Sequence, residues 1–160
     1  MASNHKLTAS VVVFLVTVGA ATFLFRQQGN RQGNWEKLNG EVSSLYQQGK
    51  YAEALPLAQE SLKAAESGFG LEGSQVATSL SNLALLYRAQ GKYAEAEPLY
   101  VRSLAVTEKI LGAEHPEVAG AVNKLAALYR VQGKYAEAEP LYKRALSIDE
   151  KALGPNHPGV

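Results

Sequence analysis

The chain has 160 residues, 46% of them apolar and 19% charged, with 16 Lys+Arg against 15 Asp+Glu. That length is enough for one domain with a core of its own, while a net charge of +1 excludes a general nucleic-acid binder and a long charged tail. Cys is absent, which excludes disulfides, a thiolate nucleophile and a Cys-based zinc site.

Residues 1–6 form a short tail. Between Leu7 and Phe25 there is no charge and no Asn, Gln or His. The stretch includes Leu7, Val12, Phe14, Leu15, Phe23 and Phe25. As a helix it measures roughly 28 Å at about 1.5 Å per residue, close to the ~30 Å hydrocarbon core of a bilayer. Lys6 and Arg26 bracket it, where ionic side chains can reach the headgroups. A single-pass transmembrane anchor over 7–25 is expected. The alternative is a cleavable signal sequence, because Val18-Gly19-Ala20-Ala21 supplies small residues suited to cleavage. Loss of residues 1–20 or 1–21 would leave the remainder periplasmic or extracellular. Apolar character resumes in Phe23-Leu24-Phe25 and favours the anchor. Sidedness stays open: Arg26, Arg31 and Lys37 favour a cytoplasmic C-terminal part, while the short N-terminal tail favours the opposite. Residues 26–34 carry Gly29 and Gly33 and nothing apolar, so they predict a flexible linker.

From residue 35 the chain repeats itself. The hexapeptide Gly-Lys-Tyr-Ala-Glu-Ala starts at Gly49, Gly91 and Gly133, a period of 42 residues, and 87–118 matches 129–160 at 22 of 32 positions. The units run over about 35–75, 76–117 and 118–160. Each reads as two helices, A and B. In the second unit Val76, Leu80, Leu83, Ala84 and Tyr87 give helix A one apolar face. Gly91 ends that helix. Helix B begins near Lys92-Tyr93 and turns Ala96, Leu99, Tyr100, Ser103 and Leu104 inward, with Pro98 near its start, where a missing N–H costs least.

These units resemble the tetratricopeptide repeat, in the 42-residue form of kinesin light chains. The resemblance rests on Leu-Ala-x-Leu-Tyr-Arg-x-Gln-Gly-Lys-Tyr-Ala-Glu-Ala-Glu-Pro-Leu-Tyr (83–100 and 125–142) and on the Leu-Gly-x-x-His-Pro linker. It implies an all-α fold in which the N-terminal transmembrane helix precedes a right-handed α-solenoid of three helix-turn-helix repeats. The first repeat is divergent: Glu41 to Tyr46 replace the Leu-Ala-Leu-Leu-Tyr-Arg run, and Gly73-Ser74 replace His-Pro, as suits a terminal repeat. Trp35 is expected to shield its open end. At the other end His157-Pro158-Gly159-Val160 matches His115-Pro116-Glu117-Val118. The last helix B (Leu141, Leu146, Ile148, Leu153) is therefore expected to expose an apolar edge, open to self-association or to a partner.

No active site, metal or cofactor is expected. His115 and His157 occupy equivalent linkers one repeat apart and cannot share an ion; a capping role before Pro suits them better. Glu95/Glu97 and Glu137/Glu139 stand two apart on a helix and do not face one another. Gly-Lys-Tyr lacks the spacing of a phosphate loop. By resemblance, ligands lie in the concave groove lined by helices A. The groove positions are Glu36, Asn39, Ser43 and Tyr46; Thr78, Ser81, Leu85 and Arg88; Asn123, Ala127 and Arg130. Arg88 and Arg130 coincide by period and would attract a carboxylate or an acidic peptide. Asn39, Asn82 and Asn123 would bond an extended backbone. The Lys-containing clamp of chaperone-binding relatives is not reproduced. The expected function is a membrane-anchored adaptor, not an enzyme, that binds a protein or peptide in this groove. The alternative is a small accessory or assembly subunit of a membrane complex, with the repeats as a structural cap.

Overall fold

The computed structural model describes the backbone of residues 4–154 and, from residue 26 on, the side chains apart from that of residue 153. Six helices make up the described chain: α1 (Asn4–Gln47), α2 (Tyr51–Phe69), α3 (Ser74–Ala89), α4 (Tyr93–Leu111), α5 (Pro116–Val131) and α6 (Tyr135–Leu153). By packing, the chain divides into Met1–Asn34 and Trp35–Val160.

The first unit has helical backbone from residue 4, and residues 26–34 are helical where a flexible linker was expected. No Pro interrupts this stretch. Gln and Arg are good helix formers, and two Gly at about 1 kcal/mol each do not outweigh a continuous hydrogen-bond ladder. Arg31 also reaches back one turn to the Gln27 side-chain oxygen, 3.4 Å away. The apolar 7–25 segment, including Leu7, Val12, Phe14, Leu15, Phe23 and Phe25, lies outside the residues whose side chains are described. Among the described residues no helix is long and apolar enough to cross a membrane.

In the second unit, the end of α1 is the first helix A, and α2 to α6 complete three helix pairs. The repeated hexapeptide makes the turn within each pair. Gly91 takes φ +74°, a left-handed conformation that a Cβ would strain. The chain then folds back so that Lys92 N donates to the Tyr87 carbonyl at 2.9 Å. The same bond recurs from Lys134 to Tyr129 and from Lys50 to Leu45, each at 2.9 Å. Above two of these turns a Lys ammonium covers a Tyr ring, Lys92 on Tyr87 at 5.9 Å and Lys134 on Tyr129 at 5.2 Å.

The core alternates large and small residues at the helix crossings. Leu83 and Leu86 of α3 pack on Ala54 and Ala58 of α2, and Val76 and Leu80 pack beside Ala65. The next layer joins Ala84, Ala96, Tyr100 and Leu104 to Val118, Val122, Leu125 and Leu128. Fully burying a Leu or Val side chain contributes about 1.5–3 kcal/mol, and most of these are sealed on both sides by neighbouring helices. Trp35 closes the first repeat as expected. Its ring stands edge-on to Phe69 at 6.4 Å, and its Nε1 donates to Ser79 Oγ at 2.8 Å, 3.1 Å from the buried Ser61 hydroxyl.

Two details depart from the sequence reading. Pro98 lies in the second turn of α4, not the first, so the helix loses one bond there; the residue is exposed and the gap faces solvent. The apolar edge of α6 is smaller than expected. Ile148 is 1% exposed because it turns inward into the layer with Val122 and Leu125, and Leu141 is half-buried. Leu146 remains exposed, while the Leu153 side chain lies outside those described.

The glycines give opposite expectations. Gly40 is helical and exposed, with nothing within 4 Å of an added Cβ, so Gly40→Ala should stabilise the repeats by about 1 kcal/mol. Gly91→Ala, at positive φ, should destabilise them by about 1–2 kcal/mol. Urea titrations followed by circular dichroism should move their midpoints in opposite directions.

Candidate binding groove

Helices α1, α3 and α5 line one side of the repeat array, and two cavities open along them. The larger, about 670 Å³, lies between α3 and α5 over α4. Ser74, Thr78, Ser81 and Asn82 form one wall; Glu117, Gly120, Ala121 and Lys124 form the other; Ser103, Thr107, Ile110 and Leu111 of α4 complete the lining. The smaller, about 190 Å³, lies between α1 and α3 and includes Val42, Ser43, Tyr46, Leu85 and Leu86. Asn82 borders both.

Helical spacing explains the lining. Thr78, Ser81, Asn82 and Leu85 follow one another at three- and four-residue steps on the face of α3 beside its core stripe. Two of the hydroxyls turn back into their own helix, Thr78 to the Ser74 carbonyl and Thr107 to the Ser103 carbonyl. Ser103, 4% exposed, donates to the Ala77 carbonyl at 2.7 Å and ties α4 to α3 beneath the groove.

The residues expected from sequence divide into two groups. Asn39, Tyr46, Ser81 and Asn82 come together along the groove, but Asn82 Nδ2 donates to Asn39 Oδ1 at 2.6 Å. These two amides therefore brace α1 against α3 and offer fewer free groups than expected. Tyr46 rests on Tyr51, ring centres 5.3 Å apart, and lines the smaller cavity. Asn123 is half-buried on α5. Arg88 and Arg130 sit in the last turns of α3 and α5, outside both cavities, where a cation also complements the helix dipole. Arg88 is half-buried and Arg130 exposed, and neither forms an ion pair among the described residues.

One groove residue escaped the sequence reading. Lys124 Nζ crosses from α5 to donate to Ser81 Oγ at 2.9 Å. Although the residue as a whole is exposed, partial burial of its ammonium against the groove wall pushes the pKa down. A signal for it was present: Lys124 lies one period after Asn82, a groove residue read from the sequence.

A second perturbed group lies under the groove. Tyr100 is 2% exposed, and its hydroxyl has no hydrogen-bond partner among the described residues. Burial pushes its pKa up to about 12; the Arg88 charge opposes the shift and Tyr46 adds to it. None of these groups forms a nucleophile–base pair. His115 caps α5, its Nδ1 accepting from Glu117 N at 3.2 Å. Among the described residues no three His, Asp or Glu side chains gather to hold a metal ion. His157 lies outside the described residues.

Three stacked helix pairs with a groove along the first helix of each define an α-solenoid. Its family is the tetratricopeptide repeat, to which the chain belongs: the family model matches residues 42–73, 76–117 and 118–159. The fold is that of BtubC (BKLC) from P. vanneervenii, with a TM-score of 0.70 at 24% identity over 78% of this chain and 48% of that one. The nearly identical TPR-like repeats of a Podosopora anserina protein designated a kinesin light chain give 0.69 at 27% identity, over 78% and 58% of the two chains. The TPR domain of Arabidopsis FLU gives 0.66 at 17% identity, with 76% of this chain covering 98% of that domain. The chain thus spans about half the length of the first two structures. No curated protein matches it in sequence.

Removing the unpartnered hydroxyl has a defined consequence. A folded-state tyrosine pKa above the ordinary 10 contributes stability that is present below pH 10 and lost as pH rises toward about 12. Tyr100→Phe should raise stability at neutral pH by about 1 kcal/mol. It should also flatten the alkaline loss, as read from urea midpoints between pH 7 and 11.

Proposed function

We propose that the chain is a membrane-anchored adaptor: the 7–25 segment holds it at a bilayer, and the groove along α1, α3 and α5 takes an extended segment of a protein partner. Tetratricopeptide repeats serve as scaffolds for protein–protein interaction. The observation that carries the groove reading is the cavity of about 670 Å³ walled by the first helices of two consecutive repeats. An extended peptide presents unpaired N–H and C=O groups, and a wall bearing Ser, Thr and Asn side chains can meet both. Arg88 and Arg130, without an ion pair among the described residues and one period apart, add a positive field that favours an acidic segment. The anchor reading rests on the uncharged run from Leu7 to Phe25, bracketed by Lys6 and Arg26.

A second reading makes the chain an accessory subunit of a membrane complex. The observation that favours it is the exposure of three apolar side chains, Val131, Tyr135 and Leu146, on the last helix pair.

Co-purification in mild detergent separates the two. For the adaptor, Arg88→Ala with Arg130→Ala should reduce partner recovery at least several-fold, and deletion of residues 1–34 should release the chain from membranes while the partner stays bound. For the subunit, the double variant should change nothing and the deletion should remove the partner. Sequencing the mature N-terminus should find Met1 or Ala2 for an anchor; a start near residue 21 or 22 would establish cleavage.

A further inference from the structure

Charge has a direction along the array. Among the described residues, each ion pair that joins one repeat to the next takes its acid from the earlier repeat and its base from the later one. Glu66 and Glu72 of the first repeat hold Arg102 and Lys109 of the second. Glu97, Glu108 and Glu114 of the second hold Lys134, Arg144 and Lys151 of the third. The third repeat carries Glu139 and Glu150 at the registers of Glu97 and Glu108. Glu139 pairs within its own helix, with Lys143, and Glu150 has no ion pair among the described residues.

The apolar residues between these acids follow the same pattern. On α4, Tyr100 and Leu104 are 2% and 9% exposed because they pack in one layer with Val118 and Val122 of α5. Their equivalents on α6 are Tyr142, which is half-buried, and Leu146, which is 43% exposed. Tyr135 is 69% exposed, where its equivalent Tyr93 is half-buried. Tyr135, Glu139, Tyr142, Leu146 and Glu150 succeed one another at three- and four-residue steps, so they share one face of α6. On α4 that face is covered by a single helix of 16 residues, α5. With Asp149 beside Glu150 and Lys143 beside Glu139, the α6 face is acidic at its edges and apolar at its centre.

A second copy of the chain does not complete the pattern. The register that holds Arg102 and Arg144 holds Glu60 in the first repeat, and the register of Lys109 and Lys151 holds Ser67. Stacking the N-terminal end of another array on α6 would therefore set Glu60 against Glu150, and two α6 faces laid together would oppose acid with acid. What fits is a helix that is apolar along one side and basic at its margin. Its apolar side would supply the affinity, and the charge its orientation and choice of partner.

We propose that the face of α6 formed by Tyr135, Tyr142, Leu146 and Glu150 docks one helix of a protein partner, with a Lys or Arg of that helix on Glu150. This is independent of the groove and compatible with either reading of function.

A library of stapled helical peptides about five turns long tests it. Each carries Leu along one side and Lys, Glu or Gln at the flanking positions, and is selected on the full chain in detergent micelles. Circular dichroism verifies that each variant of the chain is folded. Lys should be enriched over Glu at one flanking position. Tyr135→Ala with Leu146→Gln should weaken binding about tenfold or more, while Arg88→Ala with Arg130→Ala should leave it unchanged. Glu150→Lys should reverse the preference from Lys to Glu. Because the chain has no Cys, a Leu146→Cys variant reports contact between copies directly. Cross-linking of two copies through that position would overturn the proposal in favour of self-association. It would be overturned equally by a library with no enriched peptide, by binding that survives the Tyr135/Leu146 changes or is lost with the two arginines, by a charge preference that Glu150→Lys does not alter, or by binding that requires removal of residues 155–160. Each of these outcomes leaves the groove reading standing.

Discussion

Close approach of helices at small residues is the constraint on which the rest of the array depends. Ala54, Ala96 and Ala138 occupy one register of the three helices B and are 0%, 0% and 3% exposed. Opposite them, Ala84 and Ala126 in α3 and α5 are both fully buried. A larger side chain at these crossings would push the helices beyond the 8–10 Å or so at which ridges meet grooves. Leu80, Leu86, Val122 and Leu128 fill the space that remains. Each helix pair leaves one apolar face to its neighbour, so the pairs hold together only as a stack.

The charges between repeats follow the same period but play a lesser part. Glu66 pairs with Arg102 and Glu108 with Arg144, each acid meeting a base of the next repeat. Half-buried surface pairs of this kind contribute about 0–1 kcal/mol and weaken with salt. Their regularity therefore reflects a stack already set by packing. The hydroxyl network of Trp35, Ser61 and Ser79 differs, because it is buried and each hydroxyl has a partner there.

Along the groove, sequence variation and helix packing draw on different parts of the period. Positions that repeat faithfully (the Gly-Lys-Tyr turn, the alanines, the Leu stripe) hold helices together. The groove walls are where repeats diverge: Asn39, Ser81 and Asn123 share one register, and Gly40, Asn82 and Lys124 share the next. A stack needs only a side chain that fits at such positions. Chemistry that serves one ligand can therefore vary there without loss of the fold.

Much of this was legible in the chain by itself. A strict 42-residue period, helical spacing of apolar residues and a positive-φ Gly at each turn determine the helix pairs and their stacking, because these are local properties of the backbone and of nearest neighbours. The cavity between α3 and α5, the Asn82–Asn39 bond and the Lys124–Ser81 contact span 43 residues or so and depend on how one helix seats on another. Likewise, whether Ile148 faces a partner or its own core turns on a small rotation of α6, which side-chain spacing leaves undetermined. Sequence settled the repeat, because a period is carried by the chain. Tertiary structure decided which groove residues are free and which are already bound to each other, because that depends on distances between helices that no spacing along the chain contains.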